Sequence, residues 1–189
     1  MGELVERVGD DDEVIGVVER GEAIRRRWLH RVATVVCRDP AGRYLVHRRP
    51  DDMSRFPGRL NWLLGGATEV GESYEEGAAR ELWEELGVRG RPRFVLKFRC
   101  AGVISPYWLG LHELVVTGPL RPDPAEIAAY RWVGEAELAG LVRDPAFVPD
   151  AREAFQRYRA SRAEGRSPRA RGEHGGFGDV AGPEGRSVT

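Results

Sequence analysis

Glu81, Glu84 and Glu85 crowd one short stretch of chain whose pattern is helical. At about 100° per residue they fall within an arc of roughly 100° on such a helix. Carboxylates that close repel one another unless a cation sits among them. A hard divalent ion such as Mg2+ takes oxygen ligands and keeps several waters, so it suits both this cluster and a phosphate-bearing substrate. An acidic helix face is otherwise solvated surface, and the three glutamates alone do not separate the two readings. The stretch before them adds Gly66, Glu72 and Arg80, while Leu82 and Leu86 on the adjacent face would anchor the helix.

The cluster needs a rigid carrier, and Ser73 to Leu86 is the clearest helix in the chain. Ser73 is a good N-cap, and Glu76 three residues on completes a capping box. Gly87 follows the last turn, where a left-handed cap suits glycine. Ala79, Leu82 and Leu86 share a face at spacings of three and four and should pack on a sheet. Strands are expected at Arg31–Arg38 and Gly42–Arg49, broken by Asp39-Pro40-Ala41-Gly42. Leu60–Leu64 leads into Gly65-Gly66, and further strands are expected over 93–103, 109–117 and 130–133. Glu135–Leu141 and Pro149–Ala160 read as helices, with Phe147 and Val148 packing against the second. Ahead of all this, residues 3–19 alternate around Asp10-Asp11-Asp12 as a hairpin does, and Gly21–Trp28 reads as a short basic helix.

The frame around the acidic cluster is specific: Gly66, five residues, Glu72, seven residues, then Arg80-Glu81-Leu82, Glu84-Glu85, Gly87 and Val88. A chance match to those nine positions in ordinary composition is on the order of 10⁻⁵. They match the Nudix box without a departure, and the chain resembles the Nudix hydrolase superfamily over roughly residues 30–158. The resemblance implies an α/β fold, an α/β/α sandwich around a mixed sheet, here with an N-terminal β-hairpin extension. The implied domains are an extension over 1–29, a Nudix hydrolase domain over 30–160 and a disordered tail over 161–189. The tail's Gly, Arg, Ser and Pro offer too little apolar surface to offset ordering entropy.

The resemblance also implies roles. Glu81 and Glu85 are the expected metal ligands, with the Gly66 carbonyl completing the shell and Mg2+ (or Mn2+ in its place) as the ion. Glu84 is an auxiliary ligand or acts through water. Arg80 positions the box by pairing with a carboxylate, Glu72 or Glu84; Glu72 is that partner or a proton acceptor. Carboxylates outside the box serve as base in some relatives, which makes Glu113 and Glu126 candidates against ordinary strand and loop positions. The implied reaction is hydrolysis of a phosphoanhydride bond in a nucleoside diphosphate linked to another moiety, or a related diphosphate.

The N-terminal region, Leu29-His30-Arg31 and Phe56-Pro57-Gly58 are also similar to isopentenyl-diphosphate isomerases. Those enzymes place a catalytic cysteine in the segment that reads Leu63-Leu64-Gly65-Gly66 here, and their box departs from the hydrolase pattern. Isomerase chemistry and a non-catalytic ligand-binding Nudix module therefore stand as alternatives to hydrolysis. Trp62, Tyr107 and Trp108 are either base-stacking or core residues; Arg48 and Arg49 either reach phosphates or are solvated.

Bulk properties bound the rest. Hydrophobic residues make up 41% of 189, enough for a packed core. The net charge of −1 gives no reason to expect nucleic acid or an anionic membrane as partner. The expected partner is a small diphosphate-containing molecule, with a homodimer through the N-terminal hairpin by analogy to relatives. Cys37 and Cys100 fit neither a metal spacing nor a disulfide framework and read as buried free thiols. With neither a signal peptide nor a membrane span apparent, a cytoplasmic location is expected.

Overall fold

The computed structural model describes residues 2–166. Its elements begin with β1 (Leu4–Val8), β2 (Val14–Glu19) and α1 (Arg20–Arg25), followed by β3 (Arg31–Arg38), β4 (Tyr44–Arg48), β5 (Leu60–Asn61) and β6 (Leu63–Ala67). After α2 (Tyr74–Leu86) come β7 (Arg93–Cys100), β8 (Tyr107–Val115), β9 (Ala129–Val133), α3 (Glu135–Leu141) and α4 (Asp150–Arg166).

Alternation along β3 sets the layers. Ala33, Val35 and Cys37 point to one face of the sheet, where they meet Leu64 of β6 and Ala78, Leu82 and Leu86 of α2. Val36 points to the other face and joins Leu63, Leu109, Leu111, Leu138 of α3 and Ala154, Phe155 and Tyr158 of α4. A strand buried on both sides needs helices on both sides, and the result is an α/β/α sandwich. β3 runs parallel to β8 and antiparallel to β4 and β6, so the seven-stranded sheet is mixed. The first two strands form a separate antiparallel pair.

Trp62 belongs to the core. It is fully buried, its ring makes edge contacts with Tyr44, Phe155 and Tyr158, and its indole N–H donates to the Ala151 carbonyl. It therefore offers no face to a ligand. Phe147 and Val148 are buried in the same cluster. Both cysteines are free and buried.

Two expectations are corrected. The buried face of α2 carries Ala78, not Ala79, together with Leu82, Glu85 and Leu86, so the face is rotated by one residue and takes a glutamate with it. Helix α4 does not end at Ala160 but runs to Arg166. Its extra turn is held by Arg162, which donates to Glu113 of β8 and to the Tyr158 hydroxyl. The remainder of the expected tail, from residue 167, lies outside the described residues. No helix among the described residues is long and apolar enough to cross a membrane.

The extension is fastened to the sandwich by charge. Asp12, at the hairpin tip, is buried and accepts from Arg31 of β3 at 2.8 Å, from the Tyr74 hydroxyl of α2 and from Lys97 of β7. Glu6 of β1 accepts from Arg31 and from the Gly71 N–H, in the loop that leads into α2.

Candidate active site

Helix α2 begins as its sequence demands. The Ser73 hydroxyl accepts from the Glu76 N–H, Glu76 returns to the Ser73 N–H, and Gly87 closes the helix in the left-handed conformation. The helix lies against β6, whose glycine pair lets side chain and backbone approach closely. Gly65 has φ 138°, and a Cβ there would stand 2.1 Å from the Ala33 carbonyl oxygen. A Cβ on Gly66 would stand 2.6 Å from Glu81 Oε1. Gly66, Glu81 and Glu85 therefore converge: the Gly65 N–H donates to Glu85 Oε1 at 2.6 Å, and the Glu81 carboxylate lies over Gly66.

The three helix glutamates do not share one environment. Glu85 is buried, and burial, then the neighbouring Glu81 charge, push its pKa well up. Glu81 is raised too, by burial against the opposing pull of Arg80. Glu84 is exposed. The three carboxylates stay close, but only Glu85 is buried, while Glu84 lies in solvent and shares Arg80 Nη1 with Glu81.

Arg80 holds the arrangement together. Its Nε and Nη2 donate to the two oxygens of Glu72 at 2.9 and 3.0 Å, Nη2 donates to the Ala67 carbonyl, and Nη1 donates to Glu81 and Glu84 at 3.0 Å each. All five guanidinium N–H donors are engaged. Glu72 also accepts from the Glu69 N–H at 2.8 Å, so three hydrogen bonds fix its carboxylate. The sequence left Glu72 and Glu84 as alternative partners of Arg80; it pairs with both, and with Glu81.

The carboxylates outside the box separate clearly. Glu113 accepts from Arg93, Arg162 and the Tyr158 hydroxyl, and its pKa is held down by that hydroxyl and by the Arg162 and Arg38 charges against the effect of burial. It joins β8 to α4 and has no part in the glutamate pair. Glu126 is half-buried, its charge reaches Glu85, and it makes no side-chain hydrogen bond or ion pair among the described residues.

On the far side of Gly65 and Gly66 opens a cleft. Val32, Leu63, Leu109 and Val148 line it with apolar surface; Thr34, Asn61, Ser105 and Tyr107 add polar groups; Arg20, Arg49 and Arg55 add positive charge. Tyr107 donates to Asp150 at 3.0 Å. Arg48 turns away to pair with Asp51, and Trp108 donates to the Gly9 carbonyl. Of the two arginines at the end of β4, only Arg49 lines the cleft. Arg20 and Arg55 had no sequence signal; they come from the extension and from a turn, and only the tertiary structure gathers them.

Whether a divalent ion suits this place is a question about donors. No three His, Cys, Asp or Glu side chains among the described residues are grouped tightly enough to hold a metal by themselves. Two desolvated carboxylates beside an unhindered glycine backbone are nonetheless a hard-oxygen set carrying net negative charge. Mg2+ commonly binds through one or two carboxylates and keeps water for its other positions. The residues fit such an ion.

Comparison with known proteins gives the family and the fold. The NUDIX domain family matches residues 28–158. An uncharacterized Nudix hydrolase of Streptomyces coelicolor is 39% identical over 163 residues, covering 85% of this chain and 90% of its own. The uncharacterized Nudix hydrolase YfcD of Escherichia coli K12 is 30% identical over 158 residues, covering 81% and 84%. Among solved structures, DR0079 from Deinococcus radiodurans superposes with a TM-score of 0.73 at 28% identity, covering 82% of this chain and 98% of that one. The MutT protein from Methanosarcina mazei, at TM-score 0.61 and 22% identity over 70% and 94%, shares the fold.

Proposed function

The chain belongs to the Nudix hydrolase family, and from that premise we propose that it uses Mg2+, replaceable by Mn2+, to hydrolyse a phosphoanhydride bond in a nucleoside diphosphate derivative or a related small diphosphate. One observation carries the reading: Glu81 and Glu85 are brought together on a glycine backbone, Glu85 buried and Glu81 half-buried, with Arg80 paired, of the two, to Glu81 alone. A buried carboxylate whose ionisation is opposed by burial and by a neighbouring carboxylate is stabilised by a divalent cation.

Glu81, Glu85 and the Gly66 carbonyl would hold the ion. When bound, it supplies charge neutralisation of the phosphate oxygens and acidifies a water molecule for attack. Arg80 and Glu72 act as positioning residues: their paired hydrogen bonds tie the start of the box to the helix and keep Glu81 facing Gly66. Glu126 is the carboxylate best suited to accept the proton of the attacking water, because it is near Glu85 and otherwise unengaged. Glu84 reaches the same space from the exposed side, limited by its bond to Arg80.

Thiol chemistry of the isomerase kind draws no support from the cysteines. Burial pushes the Cys37 thiol up to about 12 and the Cys100 thiol up to about 11, which disfavours the thiolate. Neither stands at Leu63–Gly66. A non-catalytic module is disfavoured by a complete box with its carboxylates placed as above.

The test is a panel of nucleoside di- and triphosphates, dinucleotides, nucleotide sugars and coenzyme A esters, assayed with Mg2+ and Mn2+ on wild type and Glu126→Gln. Metal-dependent hydrolysis of at least one compound by wild type, with a lower kcat in the variant, is expected. No turnover on any member would refute the reading.

A further inference from the structure

Three arginines line the cleft beside Gly65 and Gly66: Arg20 at the start of α1, Arg49 just after β4, and Arg55 in the turn that follows. Like charges do not gather in a half-buried cleft without consequence. Burial, then the charges of Arg20 and Arg49, lower the pKa of Arg55. Neither Arg49 nor Arg55 has a carboxylate within ion-pair distance among the described residues. Arg20 is partly compensated by Glu3 at 2.7 Å, but its Nε is buried with no hydrogen-bond partner.

The turn is built to keep Arg55 in place. Phe56 adopts the left-handed conformation at φ 50°, uncommon for a bulky residue, and packs against the core. The Arg55 carbonyl accepts from Arg49 Nε at 3.1 Å, fixing the two arginines relative to each other. The trio also shares its cleft with Gly65 and Gly66, the glycines against which Glu85 and Glu81 rest. An anion bound by the arginines would therefore lie next to a divalent cation held at the glutamates.

We propose that Arg20, Arg49 and Arg55 form a phosphate subsite that takes the terminal phosphate of the substrate, so that the enzyme acts on terminal di- or triphosphates in preference to doubly capped diphosphates. This rests on the hydrolase reading and narrows it. The reason is charge: a terminal phosphate carries nearly two negative charges near neutral pH, whereas each phosphate of a capped diphosphate carries one. Guanidinium groups suit phosphate through paired N–H donors. It follows that the N-terminal segment, through Arg20, is part of the substrate site.

Two measurements test this together. The first is calorimetric titration of the metal-free protein with inorganic pyrophosphate. The second is kcat/KM for a nucleoside triphosphate, a nucleoside diphosphate and a nucleotide sugar. Both are run on wild type, Arg55→Ala and Arg20→Ala, with folding checked by circular dichroism. Arg55 makes no side-chain hydrogen bond or ion pair among the described residues, so its truncation leaves the fold alone. Pyrophosphate should bind wild type and bind Arg55→Ala about 10- to 100-fold more weakly, the loss of one charge-assisted contact. The terminal phosphates should be the better substrates and lose a similar factor, while the nucleotide sugar loses little. Equal losses on both classes, or a preference for the nucleotide sugar, would overturn the proposal while leaving hydrolysis standing. If wild type hydrolysed nothing, the hydrolase reading would fall and pyrophosphate titration alone would decide the subsite: binding weakened by Arg55→Ala upholds it, and unweakened or absent binding overturns it.

Discussion

Replacing Gly66 by alanine probes the metal-binding geometry without removing a ligand. The added Cβ would stand 2.6 Å from Glu81 Oε1, against at least 3.4 Å for an ordinary contact. The carboxylate must retreat by the difference, about 0.8 Å, a misplacement of the size that costs up to about 100-fold in rate when reacting groups are set to fractions of an ångström. The retreating oxygen is also the one that Arg80 Nη1 holds at 3.0 Å. Folding should survive, because Gly66 lies outside the left-handed region and alanine restricts the unfolded chain, a gain of about 0.4–1 kcal/mol. Loss of the Arg80–Glu81 contact offsets about the same amount. The expected outcome is an unchanged melting temperature with kcat/KM down about 30- to 100-fold, measured by phosphate release at saturating Mg2+. Gly140→Ala, where a Cβ meets nothing within 4 Å, serves as the control with full activity. A folded Gly66→Ala enzyme with wild-type turnover would refute the claim that Glu81 must sit against this glycine.

Two more outcomes are expected. Arg80→Lys offers three donors where five are engaged, so activity should fall about 10- to 100-fold and stability by about 1–2 kcal/mol, read by steady-state kinetics and urea unfolding; equal stability would deny Arg80 its positioning role. His47 is buried, its Nε2 lies 3.1 Å from the Leu63 carbonyl, and burial lowers its pKa to about 4. In the unfolded chain it titrates near 6.5, so its share of stability is complete above that value and drains away as pH falls toward 4. By pH 5 about 2 kcal/mol of that share is lost, and His47→Gln should show a pH 7.5-to-5.0 loss smaller than wild type by about that much. Parallel pH profiles of the two urea midpoints would contradict this.

Local signals were legible and long-range ones were not. The capping box at Ser73 and Glu76 and the Gly87 cap involve neighbours in sequence, and they fixed α2 within a residue. The Asp39-Pro40-Ala41-Gly42 break likewise marks the end of β3 at its observed bound, Arg38. Periodicity puts Glu81, Glu84 and Glu85 on one helical arc, but it does not say where the sheet meets that arc. The sheet meets the helix at Ala78 and Glu85, which buries one glutamate and leaves Glu84 in water. Helix α4 outran its composition because Arg162 finds Glu113, 49 residues earlier. Arg20 and Arg55 carry no local signal for the same reason, as their meeting depends on the packing of the extension and on an unusual Phe56 backbone.

The most direct test of the account is Mn2+ binding followed by electron paramagnetic resonance on wild type, Glu85→Gln and Glu81→Gln, with Mg2+ competing. Wild type should take up Mn2+ that Mg2+ displaces, and each variant should bind it at least 10-fold more weakly while remaining folded. Undiminished binding in the variants would place the metal elsewhere, and no uptake by wild type, with or without a nucleoside diphosphate present, would contradict the account at its root.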